Sequence, residues 1–395
     1  MSKNYMPINP VVLKWARESG GFTLGDISNQ QGFSKFPEWE SGKILPTYTQ
    51  LENIAEKLHR PVALFFFPEP PEEEKIERSL RVIDEKDIQI FSPSIRLLFR
   101  KAKAFQISLK ELWVQEIDEH KKKLQWISLL KSSDVSTLAK ETRKLFGISV
   151  AEQKSWKNSD KALKKWRYAL ADKGLYVFKD AFQNKMIAGF CLYDDLFPII
   201  FINNSMSKNR QIFTLAHELA HIVLKESYLD IFDEKFWQLE SEQPSHIEAK
   251  CNAFAAEFLI PEEDFKAVVS KQFIAEDTIT KLAENYCVSK EVILRSCLTH
   301  QFIDKNFYHS KIMEWCKNFA PERMNTLEKT LSGGGNYYNK KMDYLGDAYL
   351  ALVLKNFDQG RIALEEAALH LDVKMKAVPV IEEKFLTRKI PNVRI

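Results

Sequence analysis

The spacing of apolar residues predicts helices over most of this chain. Apolar positions recur every three or four residues in four segments, which are 95–146, 209–225, 280–302 and the tail after residue 335. Short unbroken apolar runs bounded by polar residues instead predict strands, and they lie at 175–178, 188–193 and 198–202. The pattern therefore predicts a mostly helical α+β protein with a small sheet of about three strands near the middle of the chain.

Breaks in this pattern divide the chain into five predicted parts. Residues 1–67 form a small helical domain, and residues 68–94 open with a proline-rich acidic stretch that predicts a linker. A helical connecting region follows at 95–158. Residues 159–305 hold the predicted strands and the strongest motifs, and a further helical region occupies 306–395. A length of 395 residues is enough for more than one domain.

Composition narrows the class of protein. With 45% apolar and 28% charged residues, the chain resembles an ordinary globular protein, and a net charge of +3 does not predict a strong polyanion partner. Five cysteines without a Cys-x-x-Cys spacing favour free thiols in a reducing compartment. Neither an amino-terminal signal peptide nor an apolar run long enough to span a bilayer is present. We therefore expect a cytoplasmic protein without a membrane partner.

The segment 209–225, NRQIFTLAHELAHIVLK, carries the candidate chemistry. His217 and His221 are four residues apart, so on a helix both imidazoles lie on one face and can bind a single Zn²⁺ ion. Glu218 follows the first histidine and can act as a general base towards a water molecule on that ion. The alternative is a surface helix with two solvated histidines. The apolar stripe around them disfavours that alternative, because burying uncoordinated histidines would be costly.

A third ligand is available in the next helical segment, EAKCNAFAAEFLIP at 248–261. Glu248 and Asn252 share a helix face, so the carboxylate can reach the metal while the amide orients another ligand. Pro261 ends the helix. The alternative makes Glu248 a solvated carboxylate near a helix start, where the helix dipole stabilises it.

Together these two segments resemble the ImmA/IrrE family of zinc metallopeptidases, over roughly residues 173–262. Cys251 stands where that family usually has alanine. The resemblance implies a zincin-like core with one Zn²⁺ per chain, bound by His217, His221 and Glu248. It also implies a protein substrate, typically a transcriptional repressor or antitoxin, cut in a stress-response, mobile-element or toxin–antitoxin setting.

The first 67 residues resemble an XRE-type helix-turn-helix domain, on elements that include Trp-Glu-Ser-Gly at 39–42. Pro37 would truncate or kink the expected recognition helix. Seven Lys and Arg against six Asp and Glu give this segment a net charge of only +1, less than a typical DNA-binding face. DNA binding is therefore one of two equal alternatives for this domain, and the other is a helical module that docks a protein partner or the peptidase itself. Ser34, Lys35 and Lys43 are the candidate DNA contacts.

Three further hypotheses concern the metal site. By analogy with other zinc peptidases, the strand that contains Gly189 is expected to be an edge strand that holds the substrate. His246 and Tyr228 are candidate oxyanion donors, and the aromatic residues at 232, 236 and 237 either line the cleft or fill the core. A structural zinc closed by Cys251 is an alternative to catalysis.

The sequence also leaves an alternative function. In that alternative the chain is a DNA- or protein-binding transcriptional regulator or a toxin–antitoxin component, and its peptidase activity is secondary or absent.

Overall fold

The structure is a computed structural model that describes most of the chain. The described residues are 4–73, 92–132, 134–182, 184, 187–225, 228–231, 246–271, 273–315 and 337–388. The chain divides into two units, Met1–Ala104 and Phe105–Ile395. Most of the predicted linker lies outside the described residues, and the division into five parts stays a prediction.

The first unit contains four short helices and a 3₁₀ turn. They are α1 (Pro10–Ser19), α2 (Leu24–Ser28), α3 (Phe36–Glu40), α4 (Tyr48–Leu58) and the turn Val62–Phe66. Asn9 and Pro10 determine the start of α1, because the Asn9 side chain accepts the Val11 N–H and Pro10 occupies the first turn. Thr23 and Thr47 cap α2 and α4 through capping boxes.

The core of the first unit forms where these short helices meet. Phe36 and Trp39 of α3 are fully buried and pack edge to face, with ring centroids 6.3 Å apart. Arg17 of α1 holds α3 through a bidentate ion pair with Glu40, at 2.7 and 2.9 Å. Pro37 lies in the first turn of α3, and the helix is only five residues long. This agrees with the predicted truncation.

The second unit contains the sheet and many helices, and its first helix begins in the preceding unit. The strands are β1 (Tyr176–Asp180), β2 (Ile187–Leu192), β3 (Ile199–Asn203) and β4 (Tyr228–Ile231). The helices before the last strand are α5 (Pro93–Leu112), α6 (Ile117–Leu129), α7 (Val135–Phe146), α8 (Val150–Ser155), α9 (Ser159–Asp172) and α10 (Lys208–Val223). Those after it are α11 (His246–Leu259), α12 (Glu262–Val269), α13 (Glu276–Tyr286), α14 (Lys290–Thr299), α15 (Tyr337–Leu345), α16 (Asp347–Asp358), α17 (Leu364–His370) and α18 (Val378–Thr387). Short 3₁₀ turns lie at Val114–Glu116 and Met375–Ala377, and residues 305–315 are also helical.

The sheet has the strand order β1-β3-β2-β4. β1 and β3 are parallel, whereas β2 runs antiparallel to both β3 and β4. The predicted mostly helical α+β class with a small sheet is confirmed, with one strand more than the pattern indicated. The predicted edge position of the Gly189 strand is wrong. Gly189 pairs with Ile202 on one side and Asp230 on the other, so both edges of β2 are occupied.

Helices cover both faces of the sheet. On one face, Val177, Cys191 and Ile200 join the hydrophobic cluster that contains the apolar side of α10. On the other face, Phe178 stacks on Phe105 of α5 with centroids 4.5 Å apart, and Tyr349 of α16 meets it edge to face at 5.0 Å. Because both faces are buried, the strands have continuous apolar sequences instead of alternating ones.

The tail joins this core through buried polar contacts. Arg167 of α9 donates to the carbonyls of Val177 in β1 and Asp343 in α15, both at 2.7 Å, and Lys179 pairs with the Asp343 carboxylate at 2.6 Å. The described residues 337–388 of the predicted helical tail contain four α-helices. Gly346, with φ of 86°, separates α15 from α16, and a Cβ there would lie 2.6 Å from Arg167. Within the described residues, no helix has the length and apolar character needed to cross a membrane.

Candidate metal centre

Helix α10 holds both histidines in the interior of the second unit. Ser207 caps its first turn by accepting the Arg210 N–H at 3.3 Å. His217 and His221 are 2% and 0% exposed, because α10 packs on the sheet with one side and on α11 with another. The alternative of a surface helix with two solvated histidines is therefore wrong.

Helix α11 presents three polar side chains to α10 from one face. Glu248, Cys251 and Asn252 are spaced i, i+3 and i+4, which places them side by side. The Glu248 oxygens lie 3.2 Å from His217 Nε2 and 3.2 Å from His221 Nε2. The structure thus brings the three predicted ligands together, and it also places the predicted orienting residue Asn252 beside them.

The spacing of these atoms fits a tetrahedral metal ion. His217 Nε2 and His221 Nε2 are 3.2 Å apart, the same separation as each has from Glu248. Zinc ligands at about 2.0–2.1 Å in tetrahedral geometry are separated by about 3.3 Å. Among the described residues, this is the one group of three or more His, Cys, Asp and Glu side chains with ligand atoms within 4.8 Å of one another. Two imidazoles and one carboxylate form a donor set that suits Zn²⁺.

The second nitrogen of His217 faces Asn252. His217 Nδ1 lies 3.1 Å from Asn252 Oδ1. Because an amide oxygen can only accept a hydrogen bond, the proton of the neutral imidazole belongs on Nδ1, and the lone pair of Nε2 is directed towards the other ligands. Asn252 thus fixes the tautomer that can bind a metal.

The two histidines also determine the charge of Glu248. Burial alone would raise the pKa of its carboxyl group, but the hydrogen bonds with His217 and His221 outweigh burial and lower that pKa to about 2. The carboxylate is therefore ionised at neutral pH and carries a negative charge into the site.

Glu218, the predicted general base, is fully buried at the interface between α10 and β2. A Cβ atom built on Gly189 would lie 3.6 Å from Glu218 Oε1, 2.9 Å from the Phe201 carbonyl oxygen and 2.5 Å from Thr214 Cγ2. The glycine therefore allows α10 to approach the sheet closely. The sequence suggested a close approach of a substrate here, and the structure shows a close approach of the helix instead.

Cys251 lies outside the ligand set. Its sulfur is 3.5 Å from His221 Nδ1, whereas the other ring nitrogen of His221 faces Glu248. It does not belong to the group of ligand atoms within 4.8 Å of one another. This geometry contradicts the alternative in which Cys251 closes a structural zinc site as fourth ligand.

The carboxyl end of α11 is fixed by two contacts that the sequence did not reveal. Arg143 of α7 donates to the Phe258 carbonyl at 2.5 Å, and Gln153 of α8 donates to the Leu259 carbonyl at 3.0 Å. Both donors are buried. No local sequence motif predicts these two contacts, because each joins residues that are more than 100 positions apart in the chain. They satisfy carbonyls that the helix end leaves open before Pro261.

The remaining candidates lie in the first unit or outside the described residues. In the first unit, Ser34, Lys35 and Lys43 are exposed, and Lys35 begins α3 without a side-chain cap. Their role as DNA contacts stays a prediction. The side chains of Tyr228 and His246 and the aromatic residues at 232, 236 and 237 lie outside the described residues.

Comparison with protein families agrees with the geometry. Residues 170–297 match the family model of the IrrE N-terminal-like domain of the M78 peptidases. The matched range contains the whole sheet, α10 and α11, and with them the candidate ligands and Glu218. This part of the chain is therefore similar to the M78 peptidases, in agreement with the resemblance to the ImmA/IrrE family. No curated protein gives a match to the chain.

Proposed function

We propose that this chain is a zinc-dependent endopeptidase that hydrolyses a peptide bond in a specific protein partner. The observation that carries this proposal is the convergence of His217 Nε2, His221 Nε2 and the Glu248 carboxylate at mutual distances of 3.2 Å, one residue from a buried glutamate. The match of residues 170–297 to a peptidase family supports it.

In this mechanism each side chain has one task. His217, His221 and Glu248 hold the ion, and Asn252 keeps the Nδ1 proton of His217 in place. A bound Zn²⁺ would lower the pKa of a water molecule to about 7 and would polarise the scissile carbonyl. Glu218 accepts the proton of the attacking water as the new C–O bond forms, and donates it to the amine nitrogen as the C–N bond breaks.

The proposed substrate is a transcriptional repressor or an antitoxin, and the setting is a stress response, a mobile element or a toxin–antitoxin system. The resemblance to the ImmA/IrrE family motivates this choice. The product of the neighbouring gene is therefore the first substrate to test with the zinc-loaded protein.

Replacing the general base tests the mechanism. We expect Glu218→Gln to retain one zinc per chain and to slow cleavage of the cognate substrate by at least about 100-fold, since general-base catalysis contributes roughly 10²–10⁴-fold. Glu257→Gln is a matched control, because Glu257 is another buried carboxylate, on α11, that accepts the Glu262 N–H. Undiminished cleavage by zinc-loaded Glu218→Gln would refute the assigned role.

A second candidate function is regulation through DNA or a partner protein, with peptidase activity secondary. The resemblance of the first 67 residues to a helix-turn-helix domain, on the Trp-Glu-Ser-Gly element at 39–42, motivates it, and the candidate contacts Ser34, Lys35 and Lys43 are exposed. A gel shift on DNA upstream of the protein's own gene, repeated at several salt concentrations, tests the DNA form of this function. If no specific shift occurs and the chain instead co-purifies with another protein through residues 1–67, DNA regulation is excluded.

A further inference from the structure

Two adjacent residues of α11 contact the outer nitrogens of the two histidines. Asn252 Oδ1 lies 3.1 Å from His217 Nδ1, and Cys251 Sγ lies 3.5 Å from His221 Nδ1. Glu248, one turn earlier on the same face, contacts both inner nitrogens. Each imidazole is therefore held between an inner carboxylate and its own outer partner.

The two outer partners differ in chemistry. The oxygen of Asn252 can only accept a hydrogen bond, and so it selects one tautomer of His217. A thiol is a weak donor as well as a weak acceptor, and so Cys251 is compatible with either tautomer of His221. Both Cys251 and His221 are 0% exposed, which leaves bulk water unable to take over this contact.

We propose that Cys251 is a positioning residue for His221, and that its thiol lets the imidazole exchange tautomers in place when the metal binds. This inference rests on the proposed zinc site. Before metal binds, the Glu248 carboxylate at 3.2 Å favours a proton on His221 Nε2, and the S–H group donates to Nδ1. With a metal bound, the Nε2 lone pair would be directed at the ion, and the ring proton would be on Nδ1 and donated to the sulfur. The imidazole and the thiol each carry one proton in both states, so the exchange needs no net gain or loss of protons.

The ring does not have to rotate between these two states. Only hydrogen positions change, because the sulfur on the outer side of His221 can donate or accept a hydrogen bond. An alanine at this position would have no polar atom to offer. The sulfur is thus a feature of this chain that strengthens its second histidine ligand.

Three variants test the role of the thiol. The first two are Cys251→Ala and Cys251→Ser, and the control is Cys297→Ala, which removes an equally buried thiol from α14. Each protein is titrated with zinc against a competing chelator, and the free energy of unfolding of the metal-free form is measured in parallel. Partners that orient a metal-bound histidine typically contribute 10–100-fold in affinity, and a weak sulfur contact belongs at the lower end.

We expect Cys251→Ala to weaken zinc binding about tenfold, Cys251→Ser to recover most of that loss, and Cys297→Ala to leave the affinity unchanged. Serine separates hydrogen bonding from packing. A hydroxyl group can donate and accept as the thiol does, but it fills the apolar site less well and costs more to bury. If packing were the only role of Cys251, the serine variant would bind zinc no better than the alanine variant.

The outcomes distinguish this inference from the proposed function. A wild-type protein that fails to bind one zinc per chain refutes the zinc site itself. Wild-type affinity in Cys251→Ala, or equal losses in the alanine and serine variants, overturns the positioning role and leaves the zinc site intact. A thiolate-to-metal charge-transfer band in the cobalt-substituted wild type would also overturn it, because Cys251 would then be a ligand.

Discussion

The candidate metal centre and the candidate DNA-contacting surface are both groups of polar side chains, but they differ in burial. His217, Glu218 and His221 are at most 2% exposed and lie in the interior of the second unit. Ser34 and Lys35, in the first unit, are exposed to solvent. In the first group each polar atom must find a partner inside the protein, whereas in the second group water is always available.

This difference decides how far a motif determines geometry. A buried histidine pair with a carboxylate nearby can avoid a large desolvation cost only when the three groups converge, which is the arrangement observed. Exposed lysines are stable in many positions, so their spacing in the sequence does not indicate a common target. The comparison predicts that substitution effects decrease from the buried centre to the exposed surface.

The largest effect on zinc affinity is expected when the carboxylate ligand is replaced. Glu248→Gln keeps the size of the side chain but removes the charge that faces both histidines at 3.2 Å. Loss of a partner that only orients a ligand costs about 10–100-fold in metal affinity, so loss of a ligand should exceed about 100-fold. Zinc titration against a chelator measures this change.

The control for this prediction is Glu38→Gln, which removes an exposed carboxylate from α3 of the first unit. It should leave zinc affinity at the wild-type value. Equal affinities for Glu248→Gln and the wild type would show that Glu248 is not a ligand, and the contrast between the two sites would lose its basis.

A smaller effect, on both stability and zinc affinity, is expected from a substitution where α10 approaches the sheet. Gly189→Ala would place a methyl group 2.5 Å from Thr214 Cγ2 and 2.9 Å from the Phe201 carbonyl oxygen. Since one of these contacts is backbone, the helix must shift, at a cost of about 1–3 kcal/mol in the free energy of unfolding. Zinc affinity should fall with it, because the same helix carries two of the ligands. Denaturant unfolding of the metal-free protein measures the first effect.

A glycine of the first unit supplies the matched control. Gly25 lies in α2, is exposed, and would bring a new Cβ no closer than 3.8 Å to any neighbour. Gly25→Ala should therefore be neutral or stabilise the protein by up to about 1 kcal/mol. If both alanine variants had the same stability, the close approach at Gly189 would be refuted.

Sequence patterns were sufficient for the elements that have local causes. The capped starts at Asn9, Thr23 and Ser289 follow from side chains that bond the next turn of their own helix. The convergence of Glu248 on the histidines followed from two helical spacings and the need to pair buried polar groups. The second strand of the sheet was recognised as a strand, but its position was not, because strand order depends on partners distant in sequence.

The missed features share that non-local cause. The fourth strand was not predicted, and its pairing with β2 is what makes the edge assignment of Gly189 wrong. Likewise, the contact between Cys251 and His221 depends on how α11 packs against α10. Spacing alone placed Cys251 either towards the metal or in the helix packing, and only the mutual rotation of the two helices decides between these positions.

Removing a half-buried ion pair should change the free energy of unfolding less than the Gly189 substitution and more than a substitution on the exposed surface. Glu116, in the turn after α5, accepts hydrogen bonds from Lys355 at 2.8 Å and Arg361 at 2.7 Å, and these bonds lower the pKa of its carboxyl group below the ordinary 4.5. A depressed folded-state pKa stabilises the protein above the unfolded pKa and loses that effect as the pH falls through the folded value. Glu116→Gln should therefore lower the free energy of unfolding at pH 7 by about 1 kcal/mol or less.

The pH dependence is the sharper test of this ion pair. The stability difference between the wild type and Glu116→Gln should shrink as the pH is lowered from 6 towards about 3, because the wild-type carboxylate then becomes protonated. Unfolding curves at several pH values measure it. A difference that stays constant across this range would show that the charge of Glu116 contributes nothing and that its packing alone matters.

The smallest effect on stability is expected at the exposed surface. The double variant Lys35→Gln/Lys43→Gln should change the free energy of unfolding by less than about 0.5 kcal/mol, because both side chains are solvated. Its zinc affinity should equal that of the wild type. If the first unit binds DNA through these lysines, the variant should lower the slope of log affinity against log salt by about two, since each phosphate contact contributes about 0.9. An unchanged slope would show that Lys35 and Lys43 do not contact phosphates. A loss of stability above about 1 kcal/mol would contradict the solvated state on which the comparison of the two sites depends.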